Sequence, residues 1–263
     1  METIRVVVHG ALGKVGREVV NAVYQEPEMR LVGAIDIKAS GSYLTLPDGS
    51  SKVPISTDVA ILEKYQADVM VDFTIAKATI PAARAAAKLG VNLVIGTTGL
   101  TVDELNELGN LSKVNKIGIV AAPNFALGAV LMMHLAKIAA KYLDYVEIIE
   151  LHHNLKADAP SGTALLTAKT MAQARGKPFS QPLDREKNYK SRGDAVEGAT
   201  IHSVRLPGLM AHQEVVFGAP GQTLSIRHDT INRECYMPGV MLAIREAFKR
   251  QGFIYGLDVL LRL

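Results

Sequence analysis

The first half of the chain alternates short apolar runs with amphipathic stretches. Apolar runs of strand length occupy residues 4–8, 31–35, 69–73, 93–95 and 117–121. Between most of them, apolar residues recur every three or four positions, which predicts helices over 15–25, 76–89 and 102–111. Pro81 falls near the first turn of the second of these, where proline is tolerated. Such alternation predicts βαβ units and a parallel sheet. After Asn124 the texture changes. A helix is expected over 127–143, a strand over 146–151, a polar segment over 152–160 and a helix from about Ser161. Residues 176–198 are rich in Lys, Arg, Asp, Gly and Pro without a period, and read as a long solvated excursion. Strands at 200–206, 213–217 and 223–228 then arrive in succession, which predicts antiparallel or mixed pairing and a second domain type. Pro238 opens a helix over 240–248 and Gly252 ends it. The apolar pieces at 253–255 and 259–261 are expected to pack back onto the first domain.

Composition narrows this picture. The 263 residues are 48% hydrophobic and 21% charged, enough apolar material for a sizeable core and too much for a disordered chain. At ~150 residues per domain, one large domain or two modest ones are expected. The net charge is +3 and no run of Lys and Arg occurs, so nucleic acid is disfavoured as the main ligand. The single cysteine, Cys235, cannot form an internal disulfide and fits a reducing compartment. The longest uncharged run, 117–133, is broken by Gly118, Pro123, Asn124 and Gly128, so it reads as strand, loop and helix start rather than a membrane span. No leader-like segment is visible, and the expected location is the cytoplasm.

Candidate chemistry begins directly after the first strand, at His9-Gly10-Ala11-Leu12-Gly13-Lys14-Val15-Gly16. Glycines here allow a tight turn, close approach of the backbone to a pyrophosphate and close helix–strand packing. The helix start adds free N–H groups and the positive end of the helix dipole. The spacing departs from Gly-x-Gly-x-x-Gly, with Ala11 in the first glycine's place when the pattern is counted back from Gly16. Asp36, twenty residues after Gly16, ends the second strand, where a carboxylate bonds a ribose hydroxyl and favours NAD. Lys38 offers a partner for a 2′-phosphate, so both NADH and NADPH stay open. Two more loops follow buried strands, Gly96-Thr97-Thr98-Gly99 and Ala122-Pro123-Asn124-Phe125, where this architecture places ligands.

The most distinctive stretch runs from Glu150 through Leu151-His152-His153-Asn154-Leu155-Lys156-Ala157-Asp158-Ala159-Pro160-Ser161-Gly162-Thr163 to Ala164. Two histidines and a lysine leave a strand, and Pro160 and Ser161 open a helix. Backbone amides of Ser161, Gly162 and Thr163, with Lys156 and the histidines, would suit one or two carboxylates. An imidazole also gives or takes a proton near neutrality. If extended, His152 and His153 point to opposite faces, so one of them meets a given site. Ser161 has a second reading as a simple helix cap. No Cys pair or His-Glu-x-x-His occurs, so no metal is expected. His134, His202 and His228 fall in helical or strand patterns and read as structural. Cys235 has no histidine at a motif spacing and does not read as a nucleophile.

These residues resemble the 4-hydroxy-tetrahydrodipicolinate (dihydrodipicolinate) reductase family. The matching pieces are Gly10 to Gly16, Asp72-Phe73-Thr74, Gly96-Thr97-Thr98, Ala122 to Phe125, Glu150 to Ala164 and Arg205-Leu206-Pro207-Gly208. They occur in the family's order along nearly the whole chain. The resemblance implies an α/β fold: a Rossmann-like parallel-sheet nucleotide-binding domain (1–124), an α+β substrate-binding and oligomerisation domain with a mixed sheet (125–234), and a tail (235–263) returning to the first. It implies NAD(P)H-dependent reduction in diaminopimelate and lysine biosynthesis, by a homotetramer acting on a small dicarboxylate heterocycle. His152 matches the proton donor and Lys156 a second donor. His153, Ser161, Gly162 and Thr163 match substrate-carboxylate contacts. Gly10, Ala11, Leu12, Gly13, Lys14, Val15, Asp36, Lys38, Phe73, Gly96, Thr97, Thr98, Ala122, Pro123, Asn124 and Phe125 match cofactor contacts. Where some members carry arginine beside the acidic residue, this chain has Ile37 and then Lys38. A closing motion about junctions near Asn124 and Cys235 is expected. From the residues alone, another NAD(P)-dependent dehydrogenase of a small amino or keto acid remains an alternative, as does an NAD(P)-sensing regulator.

Overall fold

The structure is a computed structural model that describes residues 3–180 and 190–263. In chain order the elements begin β1 (Ile4–His9), α1 (Lys14–Gln25), β2 (Met29–Ile35), β3 (Tyr43–Thr45), β4 (Lys52–Ser56) and α2 (Ile61–Lys64). They continue β5 (Val69–Asp72), α3 (Ala76–Lys88), β6 (Asn92–Ile95), α4 (Val102–Asn115), β7 (Gly118–Ala121) and α5 (Leu127–Ala139). Then follow β8 (Tyr145–His152), α6 (Gly162–Arg175), β9 (Asp194–Val196), β10 (Ala199–Arg205), β11 (Ala211–Ala219) and β12 (Gln222–Thr230). The chain closes with α7 (Met237–Lys249), β13 (Gly252–Tyr255) and α8 (Leu257–Leu261). Two compact units result, Met1–Leu127 with Arg233–Leu263, and Gly128–Asn232. The crossings lie after Leu127 and after Asn232, a few residues from the expected 124/125 and 234/235.

The first unit is built on an eight-stranded sheet ordered β13-β7-β6-β5-β1-β2-β4-β3. All neighbours are parallel except β3, which runs antiparallel to β4 at the edge. A parallel sheet is covered on both faces, and its strands are accordingly apolar on both: Val6, Val7 and Val8 have no exposure. On α1 the buried positions Gly16, Val19, Val20 and Val23 follow the spacing of one helix face. Strand order reverses between β1 and β5, since β2 and β4 lie to one side of β1 and β5, β6, β7 and β13 to the other. Ligands of such sheets bind at the carboxyl ends of the strands beside this reversal. From the tail, Gly252–Tyr255 pairs in parallel with β7. The short strands β3, at the edge, and β4 beside it have no counterpart in the sequence reading: Pro54 within β4 and exposed Tyr43 in β3 hide the alternation that marks a strand. Pro81 is the sixth residue of α3, beyond its first turn.

The second unit holds a five-stranded sheet ordered β12-β11-β8-β10-β9. Pairing is mixed: β8 runs parallel to β10, and the other neighbours are antiparallel. One face carries Val146 and Ile148 from β8, Ile201 from β10 and Val215 and Phe217 from β11, packed with Ala164, Ala168 and Met171 of α6. The solvated excursion expected over 176–198 is corrected in part. Phe179 is 4% exposed and meets Phe217 in a tilted pair at 6.4 Å between ring centres, and Asp194–Val196 pairs with β10. One aromatic in a polar run supplied the anchor that the lack of periodicity concealed. The rest of that reading, 181–189, lies outside the described residues.

Candidate active site

In the first unit the sites converge at the carboxyl ends of β1, β2, β5, β6 and β7. Gly10 has φ +83°, and a Cβ on it would lie 2.6 Å from the Phe73 carbonyl oxygen. A Cβ on Gly16 would lie 2.0 Å from the Gly10 carbonyl oxygen, so the turn and α1 pack too closely for any side chain there. The N-cap of α1 is Gly13, which offers no side-chain cap. The amides of Lys14, Val15 and Gly16 therefore keep their hydrogen-bonding capacity, as an incoming pyrophosphate requires.

Asp36 is buried, and its two carboxylate oxygens accept from Leu12 N and Lys38 N, each at 2.9 Å. Each oxygen keeps a second lone pair for a ribose hydroxyl. The Lys38 side chain is exposed. Asp72, fully buried at the end of β5, accepts from Thr74 N, Thr74 Oγ1 and Thr97 Oγ1 at 2.7–2.9 Å. Its other oxygen faces His9 Nδ1 at 3.4 Å. Burial pushes the Asp72 carboxyl up, but His9 and the threonine hydroxyls outweigh it and hold the group below its ordinary value. This carboxylate thereby joins the loops after β1, β5 and β6. Phe73 meets buried Phe125 at 5.8 Å between ring centres, and Gly96 N donates to the Asp72 carbonyl at 2.8 Å. Ala122 N donates to the Ile95 carbonyl, and Asn124 Oδ1 accepts from Ala126 N. Pro123 and Thr98 are exposed.

In the second unit three adjacent strands turn from apolar to polar toward one end of the core face. Ile148 is followed on that face by Glu150 and His152, Ile201 by Ser203 and Arg205, and Val215 (running the opposite way) by Gln213 and Ala211. Glu150 is fully buried. Its Oε2 lies 2.5 Å from His152 Nδ1, and Arg205 donates to both carboxylate oxygens at 2.8 Å. Its Oε1 also accepts from Ser161 N at 3.1 Å. One carboxylate thus ties the imidazole to the start of α6. The Ser161 hydroxyl accepts from Ala164 N at 3.2 Å and caps that helix. The expected anion-binding set is corrected accordingly, because the Ser161 amide is spent on Glu150 while Gly162 and Thr163 keep theirs. A Cβ on Gly162 would meet nothing within 4 Å, so the approach to this turn is open.

Lys156 Nζ donates to both oxygens of Asp158 at 2.6 and 2.8 Å, and His153 is half-buried in the same loop. Burial lowers the His152 pKa, Glu150 raises it, and Lys156 and Arg205 lower it, with a net fall below the ordinary imidazole value. Burial also pushes Glu150 up, but its bonds from Arg205, Ser203 and His152 prevail and keep it ionised. Among the described residues, no group of three or more His, Cys, Asp or Glu could hold a metal ion. Among the same residues, no helix is long and apolar enough to cross a membrane. In the sequence Glu150 and Arg205 stand only as members of motifs. The signal that singles out Glu150 is its two-residue spacing from His152 on a strand, which puts both on one face.

Comparisons with known proteins give the family. Residues 4–125 match the family description "Dihydrodipicolinate reductase, N-terminus" and residues 128–261 its "C-terminus" counterpart. A 4-hydroxy-tetrahydrodipicolinate reductase of Dehalococcoides mccartyi is 55% identical, with 100% of each chain covered. That of Moorella thermoacetica is 47% identical, with 98% of each covered. Among solved structures, a dipicolinate-bound dihydrodipicolinate reductase from Paenisporosarcina sp. TG-14 superposes with a TM-score of 0.87 at 39% identity, covering 98% of this chain and 99% of that one. An amine dehydrogenase from Mycobacterium smegmatis, at 16% identity and TM-score 0.67 over 97% and 95%, shares the fold alone. With both halves matched and relatives similar along its full length, the chain belongs to the dihydrodipicolinate reductase family.

Proposed function

We propose that the chain reduces 4-hydroxy-tetrahydrodipicolinate, by way of the dehydrated ring, to tetrahydrodipicolinate, with NADH or NADPH as reductant and His152 as the proton donor. The observation that carries the residue assignment is the Glu150 carboxylate shared between the His152 imidazole and the Ser161 amide. It sets an acid–base group beside the open first turn of a helix, a place that suits a carboxylated ring. Family membership supports the activity, the reductant and the place in lysine biosynthesis.

The glycine turn, Asp36, Phe73 and the loops 96–98 and 122–125 would hold the reductant, which supplies a hydride. In the second unit the amides of Gly162 and Thr163, with His153 and Lys156, would hold the two ring carboxylates. Loss of the 4-hydroxyl leaves a conjugated C=C–C=N system that takes hydride at carbon and a proton at the atom left electron-rich. Glu150 occupies His152 Nδ1, so Nε2 is the nitrogen left to deliver that proton. The lowered pKa leaves this imidazole largely neutral at neutral pH in the free chain. A bound dianion favours its charged form, so substrate itself loads the acid. Lys156 leaves Asp158 to meet a carboxylate or to serve as the second donor.

His152→Gln is expected to lower kcat by more than ~100-fold while the dissociation constant for NADH, read by fluorescence titration, stays unchanged. A kcat near that of the native chain would remove His152 from the mechanism. A panel of small amino and keto acids tests the activity, with turnover expected only for the condensation product of aspartate semialdehyde and pyruvate. We further propose a homotetramer assembled through the second unit, supported by the half-buried Ile149, Leu151 and Val216 on the sheet face opposite α6. A cytoplasmic setting is in keeping with a single cysteine, Cys235, which cannot form an internal disulfide.

A further inference from the structure

We infer that Glu150, clamped by Arg205, is a positioning residue that fixes the tautomer and orientation of His152. The inference rests on the reading of His152 as the proton donor. Glu150 has no exposed side-chain surface, and an ionised carboxylate is taken out of water only where partners replace its hydration. Four groups do so. Two are nitrogens of Arg205 in a bidentate fork, one is the Ser161 amide, and one is His152 Nδ1. The first three are obligate donors. With its charge held by Arg205, the carboxylate accepts from the imidazole as well, so Nδ1 carries the hydrogen and Nε2 is presented to substrate. Arg205 Nη2 also donates to the Asp158 carbonyl at 2.7 Å. One guanidinium therefore anchors both the acid's partner and the loop that carries Lys156.

The imidazole is faced by Glu150 on its own strand, by Arg205 from β10 and by Lys156, itself paired with Asp158, from the following loop. The position beside it on β11 is Ala211, which bears no charge. Glu150 is thus the anion that sustains protonation of His152 against burial and two cations. Replacing it with a neutral isostere lowers the imidazole pKa, and kcat then begins its fall with rising pH at a lower pH.

The test is the pH profile of kcat for the native chain, Glu150→Gln, Glu150→Asp and the double variant with His152→Gln. For Glu150→Gln the point where kcat falls is expected to move down by about one pH unit, with roughly ten-fold lower kcat at pH 7.5. The KM for NADH should hold. Glu150→Asp should move the profile back toward that of the native chain, and the double variant should be no slower than His152→Gln alone. A uniform drop in kcat with an unmoved profile would reduce Glu150 to a packing role and overturn the inference. If instead His152→Gln alone retains kcat, the parent reading fails first. ¹⁵N spectra of histidine-labelled native chain supply a readout that needs no variant to fold. Neutral His152 bearing its hydrogen on Nδ1 is expected, and a hydrogen on Nε2 would overturn the inference.

Discussion

Two helix starts are the proposed anion sites, and they are furnished differently. In the first unit α1 is capped by a glycine, with no side-chain cap hydrogen bond. In the second, α6 is capped by the Ser161 hydroxyl and roped through Ser161 N to a buried carboxylate. A pyrophosphate is held for its shape and charge, and bare amides on a close-packed turn serve that. A ring that must also receive a proton needs side chains of set protonation state, and these need buried partners of their own. The first site is made by removing side chains, the second by burying charged ones.

The contrast is broken most forcefully at Arg205. Arg205→Ala strands Glu150 as an unpaired buried anion and should cost about 3–5 kcal/mol, read as a lowered calorimetric melting temperature. A loss under about 1 kcal/mol would mean that water reaches Glu150 freely. Next comes Gly16→Ala. Its Cβ collides with the Gly10 carbonyl, so NADH affinity should fall ten-fold or more, about 1.4 kcal/mol, in a fluorescence titration. Smaller effects belong to the caps. Ser161→Ala and Thr101→Ala, the latter from the capping box of α4, should each cost about 1 kcal/mol of stability. Only the α6 change should also slow turnover, because Thr101 lies outside both proposed sites.

Acid sharpens the same comparison. Asp72 and Glu150 both sit below their ordinary values of 3.8 and 4.5 in the folded chain. Each therefore contributes stability that is present above those values and is lost as pH falls through its lowered pKa. Melting temperature should hold steady down to about pH 5 and decline below it, and a flat profile to pH 3 would contradict both assignments.

The parallel sheet and most of its helices were legible because each buries a whole stripe or run, as the valines of β1 and the i, i+3, i+4 face of α1 do. The short strands β3 and β4 at the sheet's margin were not, since three-residue β3 is paired on one side only and β4 carries Pro54 and meets β2 over just two residues. Among candidate site residues, those whose chemistry is local stood out: the glycines by their spacing, His152 and Lys156 by their density. Asp72 and Glu150 were harder to weigh. Their importance comes from Thr97 and Arg205, residues 25 and 55 positions away that only folding brings near. The burial of Phe179 had no signal in its polar neighbourhood at all.

The return of α7 and β13 to the first sheet bears on how the molecule is born. The ribosome delivers all of Gly128–Asn232 before the strand that covers β7 exists. The intervening unit can therefore mature during translation, while the nucleotide-type sheet waits with a raw border for its last member. Released chains truncated near residue 240 should expose that border to chaperones, whereas the inserted unit should already resist protease.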